Sequence, residues 1–216
     1  MALQRPAHRP LIVGHRGMLS EQFPQNSLPV FQAALELGAD GVECDVRLGD
    51  DGQLFCVHDR QVAEIRSESL TGKQRKQHNI PLLAEVLELM KGYPGKGLWI
   101  EAKTWSAAEE MFRQLQPDEH RFLISFSDQV AHAALQKGWD TVLLDDTGGP
   151  DVVRDRSHPG MRFGPSANLA FCLTDEELSQ ASVWTVNDLH IARLLDERGV
   201  WALTTDYPGQ LLALFG

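Results

Sequence analysis

Short apolar runs alternate with amphipathic helical patterns along nearly the whole chain, and this alternation constrains the fold more than any single motif. Leu11 to Gly14 reads as a strand. Leu28 to Leu37 reads as a helix, with Leu28, Phe31, Ala34 and Leu35 at helical spacing and Gly38 as its stop. Further strands are expected at Gly41 to Val46, Gln53 to His58, Leu98 to Ile100, Phe122 to Ile124, Thr141 to Leu144, Val183 to Val186 and Trp201 to Thr204. Helices are expected at Leu82 to Met90, Ser106 to Leu115, Asp128 to Lys137, Leu189 to Arg198 and Pro208 to Leu214. Ser106 with Glu109, and Thr174 with Glu177, stand at capping-box spacing. Sustained alternation of this kind builds a mostly parallel sheet with helices outside. The length of 216 residues fits one compact (β/α)8 TIM-type barrel spanning residues 1–216, with an open doubly wound sheet as the other topology. Residues 146–172 are the least legible. Thr147 to Pro150 and Ser157 to Gly160 read as loops, so one barrel helix is expected to be missing or degenerate there.

Composition narrows the function classes. With 43% hydrophobic and 23% charged residues the chain is a folded one rather than a disordered one. Its net charge of −10 speaks against nucleic acid as a partner, which requires a basic footprint. A small anion held by a few local cations, or a metal held by clustered carboxylates, remains compatible with that charge. No apolar run approaches the ~20 residues that span a bilayer, so no stable membrane association is expected. The three cysteines, Cys44, Cys56 and Cys172, form no Cys-x-x-Cys pair, and the N-terminal stretch lacks an apolar segment of signal-peptide length. The chain therefore reads as cytoplasmic, and nothing in it reports an oligomeric state.

Polar residues follow several of the expected strands: His15-Arg16-Gly17, Glu101 with Lys103, Ser125, Asn187 and Asp206. In a parallel barrel these positions gather at the carboxyl end, where catalytic loops meet. Glu43-x-Asp45 is the sharpest pair. Period-two alternation puts both carboxylates on one face of a strand and Cys44 on the other. Side by side they repel, so a cation is expected between them, a salt-bridged or solvated pair being the alternative. With Glu101, three oxygen ligands suit Mg2+ or Ca2+ better than zinc. A hairpin signal at Gly49 to Gly52 returns the chain along the same strand. A turn centred between Asp50 and Asp51 sets His58 opposite Glu43, on the same face, and a one-residue slip would turn it away. Two imidazoles, a divalent metal, Arg16 and Lys103 suit phosphodiester cleavage. One imidazole takes a proton, one gives a proton, and the cations stabilise the charge on phosphorus. The other six histidines read as surface residues and Trp99 as barrel packing.

Gly14 to Gly17, Pro24-Gln25-Asn26-Ser27, Phe31 to Ala34, Gly38 to Val46, Asp51-Gly52 and His58-Asp59 together resemble the signature of glycerophosphodiester phosphodiesterases. Ile80 to Leu87, Ile100 to Lys103, Ile124 to Phe126, Val183 to Asn187 and Gly199 to Pro208 agree in order. The resemblance implies a barrel that hydrolyses a small-molecule glycerophosphodiester to glycerol phosphate and an alcohol. It further implies His15 and His58 as the acid–base pair, Glu43, Asp45 and Glu101 as holders of a divalent ion, Arg16 and Lys103 as phosphate contacts, and Trp184 as a pocket wall. Three features depart from the family pattern. Gln25 stands where the family usually has Glu. The segment between Asp59 and Ile80 is short. Trp201-Ala202 replaces the family's Asp-Gly. The short segment, with Lys73, Arg75, Lys76 and His78, is expected to leave an open, basic rim tolerant of varied head groups. Gln25 is expected to orient neighbours by accepting hydrogen bonds. A silent barrel that binds a phosphorylated metabolite is the alternative function.

Overall fold

A computed structural model describes residues 3–147 and 159–216. Eight parallel strands nearly close into a barrel: β1 (Leu11–Gly14), β2 (Gly41–Leu48), β6 (Gly97–Ala102), β7 (Arg121–Ser125), β8 (Asp140–Asp145), β9 (Arg162–Pro165), β10 (Ser182–Val183) and β11 (Ala202–Thr205). They lie in the order β10-β11-β1-β2-β6-β7-β8-β9. A parallel bridge between Ser166 and Trp184 joins the two ends. There Trp184 N–H donates to the Pro165 carbonyl at 3.1 Å and Ala167 N–H to the Trp184 carbonyl at 2.8 Å. Between β2 and β6 the chain adds β3 (Leu54–Cys56), antiparallel to β2, and a two-stranded ribbon, β4 (Gln61–Val62) with β5 (Ile65–Arg66).

The barrel strands are apolar along almost their whole length because both faces are covered. Outward residues Val42, Cys44, Val46 and Ile100 pack with Phe31, Ala34, Val86 and Met111 of the surrounding helices. Inward residues Leu11, Val13, Trp99, Phe122, Val142 and Trp201 form a second cluster inside the barrel. Phe31 is fully buried, and truncating such a side chain to Ala costs about 3–5 kcal/mol. The indole of Trp99 stacks on Phe122 with centroids 4.4 Å apart and tilts against Trp201 at 5.9 Å. It is seated on two glycines: a Cβ at Gly41 or Gly97 would lie 2.5 or 2.4 Å from its Cζ3. Glycine at the start of β2 and of β6 thus makes room for a large ring inside a narrow barrel.

Several expectations change in detail. The helix α4 (Trp105–Gln114) is capped by Thr104, which accepts from Ala107 N–H at 3.2 Å, so Ser106 is not the cap. Thr174 and Glu177 do form their capping box. The Gln53 to His58 strand contracts to Leu54–Cys56, and Val183 to Val186 to Ser182–Val183. The strand Arg162–Pro165 was not anticipated, because Arg-Phe-Gly-Pro carries one apolar side chain between a cation and two turn-forming residues. A short helix at Ala167–Ala170 follows it. Within 146–172, the loops read at 147–150 and 157–160 fall mostly outside the described residues.

Candidate active site

β2 presents Glu43 and Asp45 into the barrel mouth, and its neighbour β6 presents Glu101, whose Cα is paired with that of Asp45. All three carboxylates are buried, and each offers an oxygen within 4.8 Å of the others. Cys44, on the opposite face, belongs to the outer core as alternation requires. Cations crowd the trio. Lys103 Nζ lies 2.7 Å from Glu101 Oε1 and 3.2 Å from Asp45 Oδ1, and Arg16 Nε lies 3.1 Å from Asp45 Oδ2. The backbone N–H of Arg16 donates to Glu43 Oε2 at 2.9 Å. Gly17 completes this turn at φ +87°, and a Cβ there would lie 2.8 Å from Val30.

The three acids differ in how their charge is supported. Burial pushes Glu43 well above the usual carboxylate range, and the charges of Asp45 and Glu101 add to the push. Burial, then Asp45, carries Glu101 up to about 7 against the pull of Lys103. For Asp45 burial also works upward, but Lys103, Arg16, the Asn26 amide and His58 outweigh it and hold the group low. Lys103 is raised, since the attraction of Glu101 and Asp45 exceeds the cost of burying its charge. The charged form is thus favoured at Asp45 and disfavoured at Glu43 and Glu101.

Asn26 is a site residue that sequence reasoning quoted without a role. β6 occupies one edge of β2, while β1 and then β3 share the other. Asn26 bonds Asp45 at the junction. Its Oδ1 accepts from Asp45 N–H at 3.0 Å and its Nδ2 donates to Asp45 Oδ2 at 2.8 Å. Arg47 was missed entirely, although it continues the period-two series of Glu43 and Asp45. It is buried, donates to the His58 carbonyl at 2.8 Å and pairs with Glu68 at 2.9 Å. Ser125 proves structural: it is buried and donates to the Ala102 carbonyl at 3.4 Å.

His58 reaches the site by a different route from the one expected. The β2–β3 register pairs Val46 with Cys56, one residue off the register that sets His58 against Glu43. The slip does not turn the histidine away, because the strand ends at Cys56 and the Arg47 contact takes over the backbone. A cavity of about 210 Å³ is lined by His15, Arg16, Glu43, His58, Glu101, Lys103 and Trp184, with Trp99, Ile124, Val142 and Leu144 as its apolar side. Trp99 therefore both packs the barrel and borders the cavity. Trp184 is fixed by its Nε1–H donating to the Gly164 carbonyl at 2.7 Å and by an edge-on contact with Phe126.

Asp206, noted in the sequence only as a polar residue after the last strand, is a hub. His15 Nδ1 lies 2.8 Å from its Oδ1, Gln25 Nε2 donates to the same oxygen at 2.9 Å, and Asn187 Nδ2 donates to Oδ2 at 2.7 Å. Burial raises its pKa, but the bonds from His15 and Asn187 overcome this and bring it down to about 2. An ionised carboxylate only accepts, so the proton sits on His15 Nδ1 and leaves Nε2 free to exchange one. Gln25 orients a neighbour as expected, but as a donor and not as an acceptor. The basic rim also needs correction. Arg75 is buried and bonded to Asp51, because it must satisfy the Leu70 carbonyl and cover Phe55.

The profile of the glycerophosphoryl diester phosphodiesterase family matches residues 15–69, a stretch that carries His15, Arg16, Glu43, Asp45 and His58. A probable glycerophosphodiester phosphodiesterase 1 of Mycobacterium tuberculosis is 52% identical over 56 residues, covering 26% of this chain and 20% of that protein. The chain's match thus spans about a fifth of that relative's length. The crystal structure of a glycerophosphodiester phosphodiesterase from Thermotoga maritima superposes with a TM-score of 0.82 at 26% identity, over 97% of this chain and 100% of that one. Over residues 15–69 in sequence, and over nearly the whole chain in fold, the chain is similar to glycerophosphodiester phosphodiesterases. A phosphodiesterase of Oleispira antarctica, solved with the product sn-glycerol-3-phosphate, shares the fold with a TM-score of 0.76 at 22% identity, over 95% of this chain and 96% of that one. Among the described residues no helix is long and apolar enough to cross a membrane.

Proposed function

We propose that the chain is a glycerophosphodiester phosphodiesterase that hydrolyses small diesters to glycerol phosphate and an alcohol. The observation that carries this reading is the meeting, around one cavity, of two imidazoles, Arg16, Lys103 and three buried carboxylates. The carboxylates suit a hard divalent ion, Mg2+ or Ca2+, held by Glu43, Asp45 and Glu101. Asp45 Oδ1 is buried without a hydrogen-bond partner, Lys103 meeting it only as an ion pair, and Glu43 is held off its charged form by burial and by its acidic neighbours. A cation there would relieve both. When bound, such an ion supplies Lewis-acid polarisation and charge neutralisation at the phosphate.

The chain's own residues do the rest. Arg16 and Lys103 hold the phosphate oxygens and oppose the charge that develops on them. One of His15 and His58 withdraws the proton of the attacking hydroxyl while the other protonates the departing alcohol oxygen, giving a bell-shaped pH–rate profile. The family resemblance implies attack by the substrate's own glycerol hydroxyl, which expels the alcohol and leaves a cyclic phosphate; water then opens the ring, with the two histidines exchanging roles. Trp184 closes one side of the cavity. Phosphorus NMR on a panel of glycerophosphodiesters tests the reading. Turnover should vanish with a chelator and return with a hard divalent ion, and a diester without the attacking hydroxyl should be inert. Full activity after exhaustive chelation would remove the metal from the scheme.

A further inference from the structure

A second groove, of about 670 Å³, opens beside the cavity and shares His58 and Lys103 with it. The chain as a whole carries −10, yet this groove is lined by four cations, Arg47, Arg60, Arg66 and Lys103, against two carboxylates, Asp59 and Glu68. Most of these are committed: Arg47 to Glu68, Arg66 to Asp50, and Lys103 to Glu101 and Asp45. Arg60 has no ion pair among the described residues and is exposed on the groove wall.

Its backbone is fixed. The carbonyls of residues 58, 59 and 60 accept in turn from Arg47 Nη2 at 2.8 Å, from Ser67 Oγ at 2.6 Å and from Ser67 N–H at 2.9 Å. Arg47 and Ser67 are themselves buried, so the segment that carries Arg60 is anchored to the core on its inner side. A guanidinium with no ion pair among the described residues, carried on an anchored backbone two residues from His58, is placed to meet an anion at the groove wall. Two further grooves share lining with the cavity: one, past Trp184, shares neither histidine and carries Asp146 and Asp188, and the other shares Arg16 and His58 but has no arginine or lysine beyond Arg16.

We infer that the groove receives the alcohol portion of the substrate and selects diesters whose alcohol carries a second anionic group, a phosphate above all, through Arg60. The inference rests on the proposed activity and names the substrate class of that same site. A phosphorus atom held among His58 and Lys103 reaches this groove directly. It replaces the sequence-based expectation of a rim tolerant of varied head groups with selection by charge.

The test compares two substrates at buffered free metal: a glycerophosphodiester whose alcohol bears a phosphate, and glycerophosphocholine. The wild-type protein should favour the anionic diester in kcat/KM by about tenfold at low ionic strength, with the preference shrinking as salt rises. Arg60→Glu, an exposed substitution, should lower the anionic-to-cationic ratio by at least about tenfold. Equal or better use of glycerophosphocholine by the wild type would overturn the inference and favour the Asp146 groove. An unchanged ratio in Arg60→Glu would overturn it as well. Inertness of the wild type toward both diesters would instead sink the proposed activity. The groove would then stand or fall by calorimetry, on whether binding of the anionic diester weakens in Arg60→Glu or stays the same.

Discussion

His15 meets its carboxylate under cover, with side-chain exposures of 16% for the imidazole and 22% for Asp206, whereas His58 meets Asp59 in the open, at 40% and 75%. Both bonds are 2.8 Å long, so length does not distinguish them. Surroundings do. Asp206 is gripped from two further sides by Gln25 and Asn187, while Asp59 comes from the residue next to its histidine and is mostly solvated. Exposed pairs of this kind contribute ~0–1 kcal/mol, whereas a partly buried, multiply bonded carboxylate orients its partner. The His15 ring is thus held by a carboxylate that is itself held on two further sides, and the His58 ring by one solvated partner alone.

The largest effect comes from removing either ring. His15→Ala and His58→Ala should each reduce kcat by at least about a hundredfold, and a small effect at either would break the comparison by leaving one imidazole outside the chemistry. The carboxylate partners should then separate the two. Asp206→Asn should lower kcat by at least about tenfold with little change in KM, because a neutral amide no longer demands the proton on Nδ1. Asp59→Asn should cost less than about threefold. Equal losses would mean that burial is irrelevant to how these histidines are held.

A smaller effect is expected at Gln25. Gln25→Glu replaces a donor by a second carboxylate beside Asp206, so the rate should fall by less than about tenfold, or ~1.4 kcal/mol of barrier. The pH limb that belongs to His15 should move upward, since added negative charge favours imidazolium. Activation by this substitution would favour the silent-barrel alternative. The smallest effect concerns stability. Asp206 has its pKa brought from 3.8 to about 2 on folding, so its contribution is fully present above the unfolded value and is lost as pH falls through about 2. The urea midpoint should therefore drop between about pH 4 and 2 by less in Asp206→Asn than in the wild type.

Alternation and strand-end polarity made the barrel and its candidate site readable from the chain. Glu43 and Asp45 stood out because carboxylates at period two in an apolar strand have few structural uses, and Glu101 because it ends a second apolar strand. Asp206, Asn26 and Arg47 were harder to assign. Each acts through a partner distant in sequence or through a backbone group, and no local pattern encodes such a bond. Arg75 misled for a related reason. A cation in a polar segment reads as rim, and only the fold reveals that it caps the Leu70 carbonyl under Phe55. The strand Arg162–Pro165 was illegible because its place in the sheet comes from β8 and the bridge at Trp184, not from its own side chains.

The bond between His15 and Asp206 joins residues 191 positions apart, and it sits where β1 pairs with β11. During synthesis, Glu43, Asp45 and Glu101 are all made well before β11, and the carboxylate that bonds His15 follows that strand. Such non-local closure is slow relative to local folding. A chain that lacks β11 and the residues after it would keep the three clustered acids and lose the carboxylate that fixes the His15 ring.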